Sequence, residues 1–356
     1  MLLRPLLSIL IWSVAATVAF AWASRTDVSI CNYQLQFYQI RASRSVRRGS
    51  LRLASTGPDE LQDRQKFFYG TVSILDRGAN HLVVSKPPGV LCHRSNWSGG
   101  GRKSKNTGRA EVAMLQRVRE AVGKRVNLIH RLDRGASGCL LMSFAESDKD
   151  GNNTTATLQE NMSLSPSTHK TYIALVRGEG ILKGRDFRRE GWFEVNRPIK
   201  NERGNFKDAT SYFRFIAGQG NENGAHSDRP RASLVLARIK TGRWHQIRKH
   251  LNGLSHPIIG DSTHGNSRTN REWKEKWSLQ SERTCLHLLK LDLPPTKVTP
   301  NGISVVDALP PDMMNILQKH FSAEFLNDAE RALNEEGLCL NPKNDPDVIS
   351  IKFAIP

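Results

Sequence analysis

An aspartate at position 133 stands between two apolar runs. Asn127-Leu128-Ile129 leads into His130-Arg131-Leu132-Asp133, a glycine- and serine-rich turn follows at Gly135-Ala136-Ser137-Gly138, and Cys139-Leu140-Leu141-Met142 comes after. A tight turn between two strands sets its side chains at the wall of a cleft rather than on a solvated face. A carboxylate held there can form a covalent intermediate or take a proton, splitting a difficult reaction into easier steps. A lone loop aspartate is more often a turn or cap residue, so the surrounding chain has to decide. Neither a P-loop nor a G-x-G-x-x-G pattern occurs, and no internal repeat is present.

The elements that would position this turn are short. Ordered character is expected from Phe67 onward. Residues 71–75 and 81–85 are β-rich runs separated by Asp76-Arg77-Gly78-Ala79-Asn80, which predicts a hairpin. Lys86-Pro87-Pro88-Gly89 ends the second strand, because proline cannot donate to the ladder. Residues 99–108 form a basic glycine-rich loop, and Val112, Leu115, Val118 and Val122 recur at helical spacing over 111–122. A buried strand is expected at 139–144, then a polar, aperiodic insertion over 147–168 read as a loop. Further strands are expected at 171–176, 210–216, 234–239 and 285–291, with Tyr212 and Phe213 on opposite sides of theirs. A second polar insertion spans 218–231, a short helix 245–252, and two helices 311–321 and 323–336. Many strands with few long crossovers predict an α+β fold, with a mixed, mainly antiparallel sheet flanked by helices and loops.

The chain has 356 residues, enough for a sizeable core, and carries 52 basic against 34 acidic residues for a net charge of +18. An excess of that size favours a polyanionic partner. Part of it lies in the front end, where Arg41, Arg44, Arg47, Arg48 and Arg52 occur with no acid between residues 28 and 58. Most of it remains in the body, so nucleic acid is the favoured partner. Arg4 precedes an uncharged run over 6–23 that contains two A-x-A patterns, the make-up of a secretory signal. A membrane anchor is the competing reading, since the run just reaches spanning length. The segment 24–66 has the arginine- and serine-rich, acid-poor character of a transit peptide. Together the two predict an organelle, with the plastid first and the mitochondrion second, and no stable membrane association once the leader is removed. The body is assigned to 67–313 and a C-terminal helical extension to 314–356. Cys31, Cys92, Cys139, Cys285 and Cys339 are scattered and odd in number, which indicates neither a disulfide framework nor a zinc knuckle.

The turn His130-Arg131-Leu132-Asp133-Arg134-Gly135-Ala136-Ser137-Gly138 resembles the signature of the RluA family of RNA pseudouridine synthases. Three more blocks resemble that family in the same order: Val83-Val84-Ser85-Lys86-Pro87-Pro88-Gly89, Lys170-Thr171-Tyr172, and Thr241-Gly242-Arg243-Trp244-His245-Gln246-Ile247-Arg248-Lys249-His250 with His256-Pro257-Ile258-Ile259-Gly260-Asp261. The likeness covers roughly 67–310. Val90 to Ser95 and the stretch from Ser255 to Gly265 are similar to the tRNA-acting, TruC-like branch, and no S4-type RNA-binding domain precedes the body. Two positions depart from the pattern. Ala136 stands where threonine is usual and Gly135 where proline is common, which would loosen the turn.

The resemblance implies an RNA pseudouridine synthase fold and an isomerase acting as a monomer on tRNA. Ribosomal RNA is the substitute substrate, and a non-catalytic RNA-binding protein on the same scaffold is the alternative. Converting uridine to pseudouridine neither gains nor loses atoms, so no metal or redox cofactor is required. By resemblance Asp133 is the catalytic carboxylate, kept anionic by the Arg248 guanidinium. Tyr172 would hold the extruded base by its ring and handle a proton. Arg131 would fill the space the base vacates, His130 would fix the turn, and Arg243 and His245 would meet RNA. Lys86 and Arg94, with Arg102, Lys103, Lys105 and Arg109, form a broken basic run that would touch phosphates. His245, His250 and His256 lack the spacing H-E-x-x-H and a supporting carboxylate, so RNA contact or packing is expected of them rather than metal binding.

Overall fold

The computed structural model describes residues 69–94, 111–148, 153–201, 203–220, 229–340 and 349–354. The chain divides into two units, 1–66 and 67–356. The leader, the transit-like segment and the basic loop 99–108 lie outside the described residues. Among the described residues no helix is long and apolar enough to cross a membrane.

Strands β1 (Tyr69–Arg77) and β2 (His81–Lys86) form the predicted antiparallel hairpin. Helix α1 (Met114–Val122) begins three residues after Glu111, because the preceding stretch is docked extended on 91–92. Met114 and Leu115 donate their N–H groups to the carbonyls of Leu91 and Cys92, and the Glu111 carboxylate accepts from the Leu91 N–H. The short β3 (Val126–Leu128) leads through the Asp133 turn into β4 (Ser137–Phe144), all of whose eight residues are buried. Next come helix α2 (Thr154–Leu164), β5 (His169–Arg177), and a small hairpin of β6 (Ile181–Leu182) and β7 (Arg185–Asp186). β8 (Phe193–Asn196) precedes a second small hairpin, β9 (Ile199–Lys200) with β10 (Phe206–Lys207). Then follow β11 (Thr210–Gln219), β12 (Ala232–Ile239), α3 (Gln246–Gly253), α4 (Ser267–Lys276), β13 (Leu286–Leu293) and β14 (Ile303–Val306). Helices α5 (Pro311–His320) and α6 (Ala323–Glu335) precede β15 (Ile349–Ala354).

The main sheet runs β15-β1-β2-β4-β13-β5-β12-β11-β8, with β14 paired to β13 and β3 to β4. Every pairing is antiparallel except β4 with β13, so the expected mixed, mainly antiparallel sheet of an α+β fold is what forms. Its central strands are covered on both faces. Leu82 and Val84 of β2 pack with Leu140 and Met142 of β4 and with Met114 and Val118 of α1. The alternate residues Val83, Cys139 and Leu141 belong to the other core, shared with α5 and α6 through Met313, Ile316 and Phe325. Two buried faces explain why these strands read as continuous apolar runs instead of alternating ones.

Two expectations change. The stretch 147–168 is not an aperiodic loop but contains α2, which buries Thr154, Leu158 and Met162 along one stripe four residues apart. A stripe of three, one of them a threonine, is too thin to show as a periodicity in so polar a sequence. The extension 314–356 is not helical throughout either: β15 returns to the sheet and pairs with β1, from Tyr69↔Ala354 to Ile74↔Ile349. Of the second insertion, β11 already takes up residues to Gln219, and 221–228 lie outside the described residues.

A buried polar cluster lies behind the Asp133 turn. His287 of β13 bonds the Ser137 hydroxyl through Nδ1 at 2.9 Å and the Asp307 carbonyl through Nε2 at 3.0 Å. Ser85 donates to the Asp307 carboxyl at 2.7 Å, yet burial outweighs that bond and pushes Asp307 up to about 7. An acid raised in this way binds its proton in the folded state at pH values where the unfolded chain has lost it. Stability it contributes is therefore present at about pH 4 and is lost as the pH rises toward 7. Asp307→Asn, which keeps an acceptor for Ser85, should gain on the order of 3 kcal/mol over wild type at pH 8 and little at pH 4. Urea denaturation at the two pH values checks this, and an equal difference at both would refute it.

Candidate active site

The turn that carries Asp133 is fixed by its own backbone. Ala136 N–H closes it on the Asp133 carbonyl at 3.1 Å. The Arg134 carbonyl accepts from Gly89 N–H at 2.8 Å, and the Gly135 carbonyl accepts from Thr284 N–H at 3.0 Å and from Arg283 Nη1 at 3.2 Å. Lys86, at the end of β2, is fully buried and donates to the carbonyls of Pro87, Arg134 and Ala136 at 2.9, 3.1 and 2.6 Å. All three ammonium hydrogens are thereby committed, and burial pulls the group down to about 8. The expectation that Lys86 touches RNA phosphate is corrected: it clamps the Asp133 turn from behind. Sequence could not show this, because a lysine beside Pro87-Pro88 reads as exposed until the strand end is seen to point inward.

The two departures at 135 and 136 do not undo the turn. The bonds that fix it run to main-chain carbonyls and need neither threonine nor proline. A Cβ at Gly135 would lie 2.6 Å from Thr284 Oγ1 and 2.8 Å from the Glu282 carbonyl, so the segment leading into β13 fills the space that a larger residue would take. Gly138 is bound more tightly. Its φ is +121°, and a Cβ there would come within 2.4 Å of the Leu288 N, where β4 meets β13.

Arg248 comes to the turn from α3. Its Nη1 donates to Asp133 Oδ2 at 2.8 Å, and the side chain is 6% exposed against 30% for Asp133. The remaining edge is held by Asp261, whose oxygens accept from Nε at 2.7 Å and Nη2 at 2.6 Å. Asp261 is itself buried and accepts the N–H groups of Thr263 and His264 at 2.8 and 2.9 Å. Burial works to raise its carboxyl, but the Arg248 bonds and those two amides prevail and hold it below the usual carboxylate range. The fork of a guanidinium is thus bound on two sides at once, which fixes the position of Asp133. Asp261 lies in the block His256-Pro257-Ile258-Ile259-Gly260-Asp261, which by itself assigns it no role. Its function depends on a loop folding back thirteen positions onto α3, and the spacing alone does not reveal that.

His245, the residue before α3, has φ 54°, a conformation that a non-glycine side chain seldom adopts. Its Nε2 lies 3.8 Å from Asp133 Oδ1, and its Nδ1 pairs with His264 Nε2 at 3.0 Å. Burial lowers it to about 4, with Asp133 opposing and Arg248 assisting, so the imidazole is neutral at pH 7. Tyr172 lies on β5. Leu288 pairs with Gly138 on one side and Tyr172 on the other, which puts the tyrosine two strand spacings, about 10 Å, from the end of the turn. Burial, and next the charge of Asp133, push its phenol well above the ordinary value.

The other expected residues separate by depth. His130 accepts the Leu141 N–H through Nε2 at 3.1 Å, and burial holds it neutral near 3, as a turn-fixing residue would be. Arg131 is exposed at the rim of a groove of about 350 Å³, lined also by His93, Leu115, Leu128, His130 and Gln159. That groove adjoins the turn but does not include Asp133. Arg243 is exposed and binds the Asp208 carbonyl through Nε at 2.9 Å. Arg94 is exposed and holds the Glu111 carbonyl at 3.0 Å. Arg102, Lys103, Lys105 and Arg109 lie outside the described residues. His250 and His256 are buried apart from the site. The first bonds Ser211 and the Arg197 carbonyl, and the second packs its edge on Phe187 and Phe215.

Residues 80–253 match the family model described as RNA pseudouridylate synthase. The tRNA pseudouridine synthase C of Pectobacterium carotovorum subsp. carotovorum is 34% identical over 221 residues, covering 60% of this chain and 53% of that protein. The enzyme of the same name from Salmonella typhi is 33% identical over 226 residues, covering 60% and 76%. The chain therefore spans about half the length of the first relative and three quarters of the second. Among solved structures, human RNA pseudouridylate synthase domain containing 4 aligns with a TM-score of 0.47 at 19% identity, over 69% of this chain and 91% of that one.

Proposed function

Because the chain belongs to the RluA family of RNA pseudouridine synthases, we propose that it isomerises a uridine of tRNA to pseudouridine at Asp133. The observation that carries this reading is the contact of Asp133 with Arg248, itself gripped by buried Asp261. A scaffold that only bound RNA would have no use for a carboxylate aimed into a cationic site, since it repels phosphate.

In the reaction the C1′–N1 bond breaks, the uracil turns, and C1′ bonds to C5. The proton on C5 leaves, and N1 gains one. The Asp133 carboxylate starts the sequence, and the Arg248 guanidinium keeps it aimed and anionic. The target base has to leave its stack, and Arg131 on the rim occupies the gap. Tyr172, its phenol kept protonated, supports the base as an aromatic face and a hydroxyl, not as a phenolate. His245, neutral and 3.8 Å from Asp133, binds the nucleotide beside it, while Arg243 and Arg94 meet the backbone.

Incubating the protein with unmodified tRNA transcripts and mapping pseudouridine is the test. New pseudouridine at one site in tRNA supports the reading, and modification of ribosomal RNA alone replaces tRNA as the substrate. Affinity for the transcript should fall at least about tenfold between roughly 50 and 200 mM salt. A flat salt response, measured by filter binding, would count against a phosphate-rich ligand.

The protein is proposed to act as a monomer in an organelle, the plastid before the mitochondrion, without stable membrane association once processed. Support comes from the uncharged run at 6–23 followed by the acid-free arginine stretch after residue 28. A fusion of residues 1–66 to a fluorescent reporter tests this, and a cytosolic signal would end it.

A further inference from the structure

Two aromatic side chains stand exposed where α3 meets the β9–β10 hairpin. Trp244 is 41% exposed and Phe206 64%. Each has a lysine ammonium at its ring, Lys249 Nζ at 4.3 Å from the Trp244 centroid and Lys200 Nζ at 5.2 Å from that of Phe206. The pairs are joined, because Lys249 Nζ also donates to the Lys200 carbonyl at 2.8 Å and ties the β9–β10 hairpin to α3. Arg243 fastens the far side of that hairpin at the Asp208 carbonyl. Trp244 connects the patch to the chemistry. Its indole stacks on the His245 ring at 4.0 Å and 24°, and His245 lies 3.8 Å from Asp133.

We propose that Trp244 and Phe206 are stacking stations for unpaired nucleobases that flank the reacting uridine. This deepens the function proposed above and rests on it. Solvent-exposed rings alternating with lysines are what single-stranded nucleic acid needs, since bases stack on the rings while phosphates meet the cations. A lysine over an exposed ring is held more weakly than a stacked base. An arriving base therefore takes the ring face, and Lys249, still bonded to the Lys200 carbonyl, meets the adjoining phosphate. Stacking on Trp244 extends the ladder of rings through His245 and sets the register of the strand at Asp133.

The test is a binding cycle in the Asp133→Asn background, so that no turnover intervenes. The probe is a twelve-nucleotide oligouridylate, compared with the same oligomer carrying abasic sites in its central four positions. Trp244→Ala should weaken binding of the intact oligomer about tenfold and Phe206→Ala by less, while Trp244→Phe restores most of the loss. Base removal should cost the parent protein more than about tenfold, and the Trp244→Ala variant only the smaller part that Phe206 supplies. Intrinsic fluorescence of the parent should be quenched by the intact oligomer, and less so in Trp244→Phe. Equal loss on base removal with and without Trp244, or binding within twofold in Trp244→Ala, would overturn the proposal and leave the patch to a protein partner. Because no step is read through pseudouridine formation, failure here is distinct from failure to modify tRNA.

Discussion

Asp133→Asn is expected to lose at least about a thousandfold in turnover, some 4 kcal/mol of barrier, with RNA affinity within a few-fold of wild type. Asparagine has the same size and still offers Arg248 an acceptor oxygen at the 2.8 Å contact. Arg248 also remains gripped by Asp261. What disappears is the negative charge, and with it the ability to attack a carbon or draw off a proton. Binding is spared because one carboxylate contributes little to an interface built on phosphates. Single-turnover assays on a tRNA transcript, beside a melting curve that shows the variant folded, decide the matter. Turnover near the wild-type value would remove Asp133 from the chemistry.

Asp261→Ala should be nearly as damaging by another route. It strips two charge-assisted bonds from Arg248 and leaves the amides of Thr263 and His264 without an acceptor. Breaking a buried ion pair on one side costs about 3–5 kcal/mol of stability, since the remaining charge stays out of water. Arg248 would swing or soften, and Asp133 with it, for a further loss in turnover on the order of a hundredfold. Asp261 is a positioning residue, so the fall should appear in kcat of the folded fraction with KM little changed. Loss of stability with unaltered kcat would make it structural only. Asp261→Asn, which can still accept one N–H, should recover part of both. The lowered carboxyl of Asp261 gives stability that is present above the usual carboxylate range and is lost as the pH falls through its folded value. Acid should thus erase the difference between wild type and Asp261→Ala.

Much of the site could be read before the fold was known, and the reason is local. Asp133 lies in a turn bounded by two strands, and Arg248 in the first turn of the helix after Thr241-Gly242-Arg243, so each falls inside one short block that resembles the family's. The strand bearing Tyr172 was equally plain. Lys86 was misread because its charge suggested water while its surroundings are three carbonyls. Asp261 went unassigned, and the backbone of His245 was out of reach, since both depend on how 245–264 folds on itself. Trp244 read as one letter in a motif, and its exposure only became visible when α3 was seen beside the β9–β10 hairpin. Helix α2 and strand β15 were lost for the same reason: each is specified by the sheet it lands on more than by its own sequence.

The parallel junction of β4 with β13 has a consequence for synthesis. Ser137 meets His287 across 150 positions of chain, and the clamp on the turn needs Arg283 and Thr284 as well. Contacts that distant close late, because the intervening loop must first be gathered in. A ribosome delivers residues from the N-terminal end, so the Asp133 turn is made about 150 positions before the residues that clamp it. Until residues 283–287 have been made, the carbonyls of the Asp133 turn lack partners that hold them.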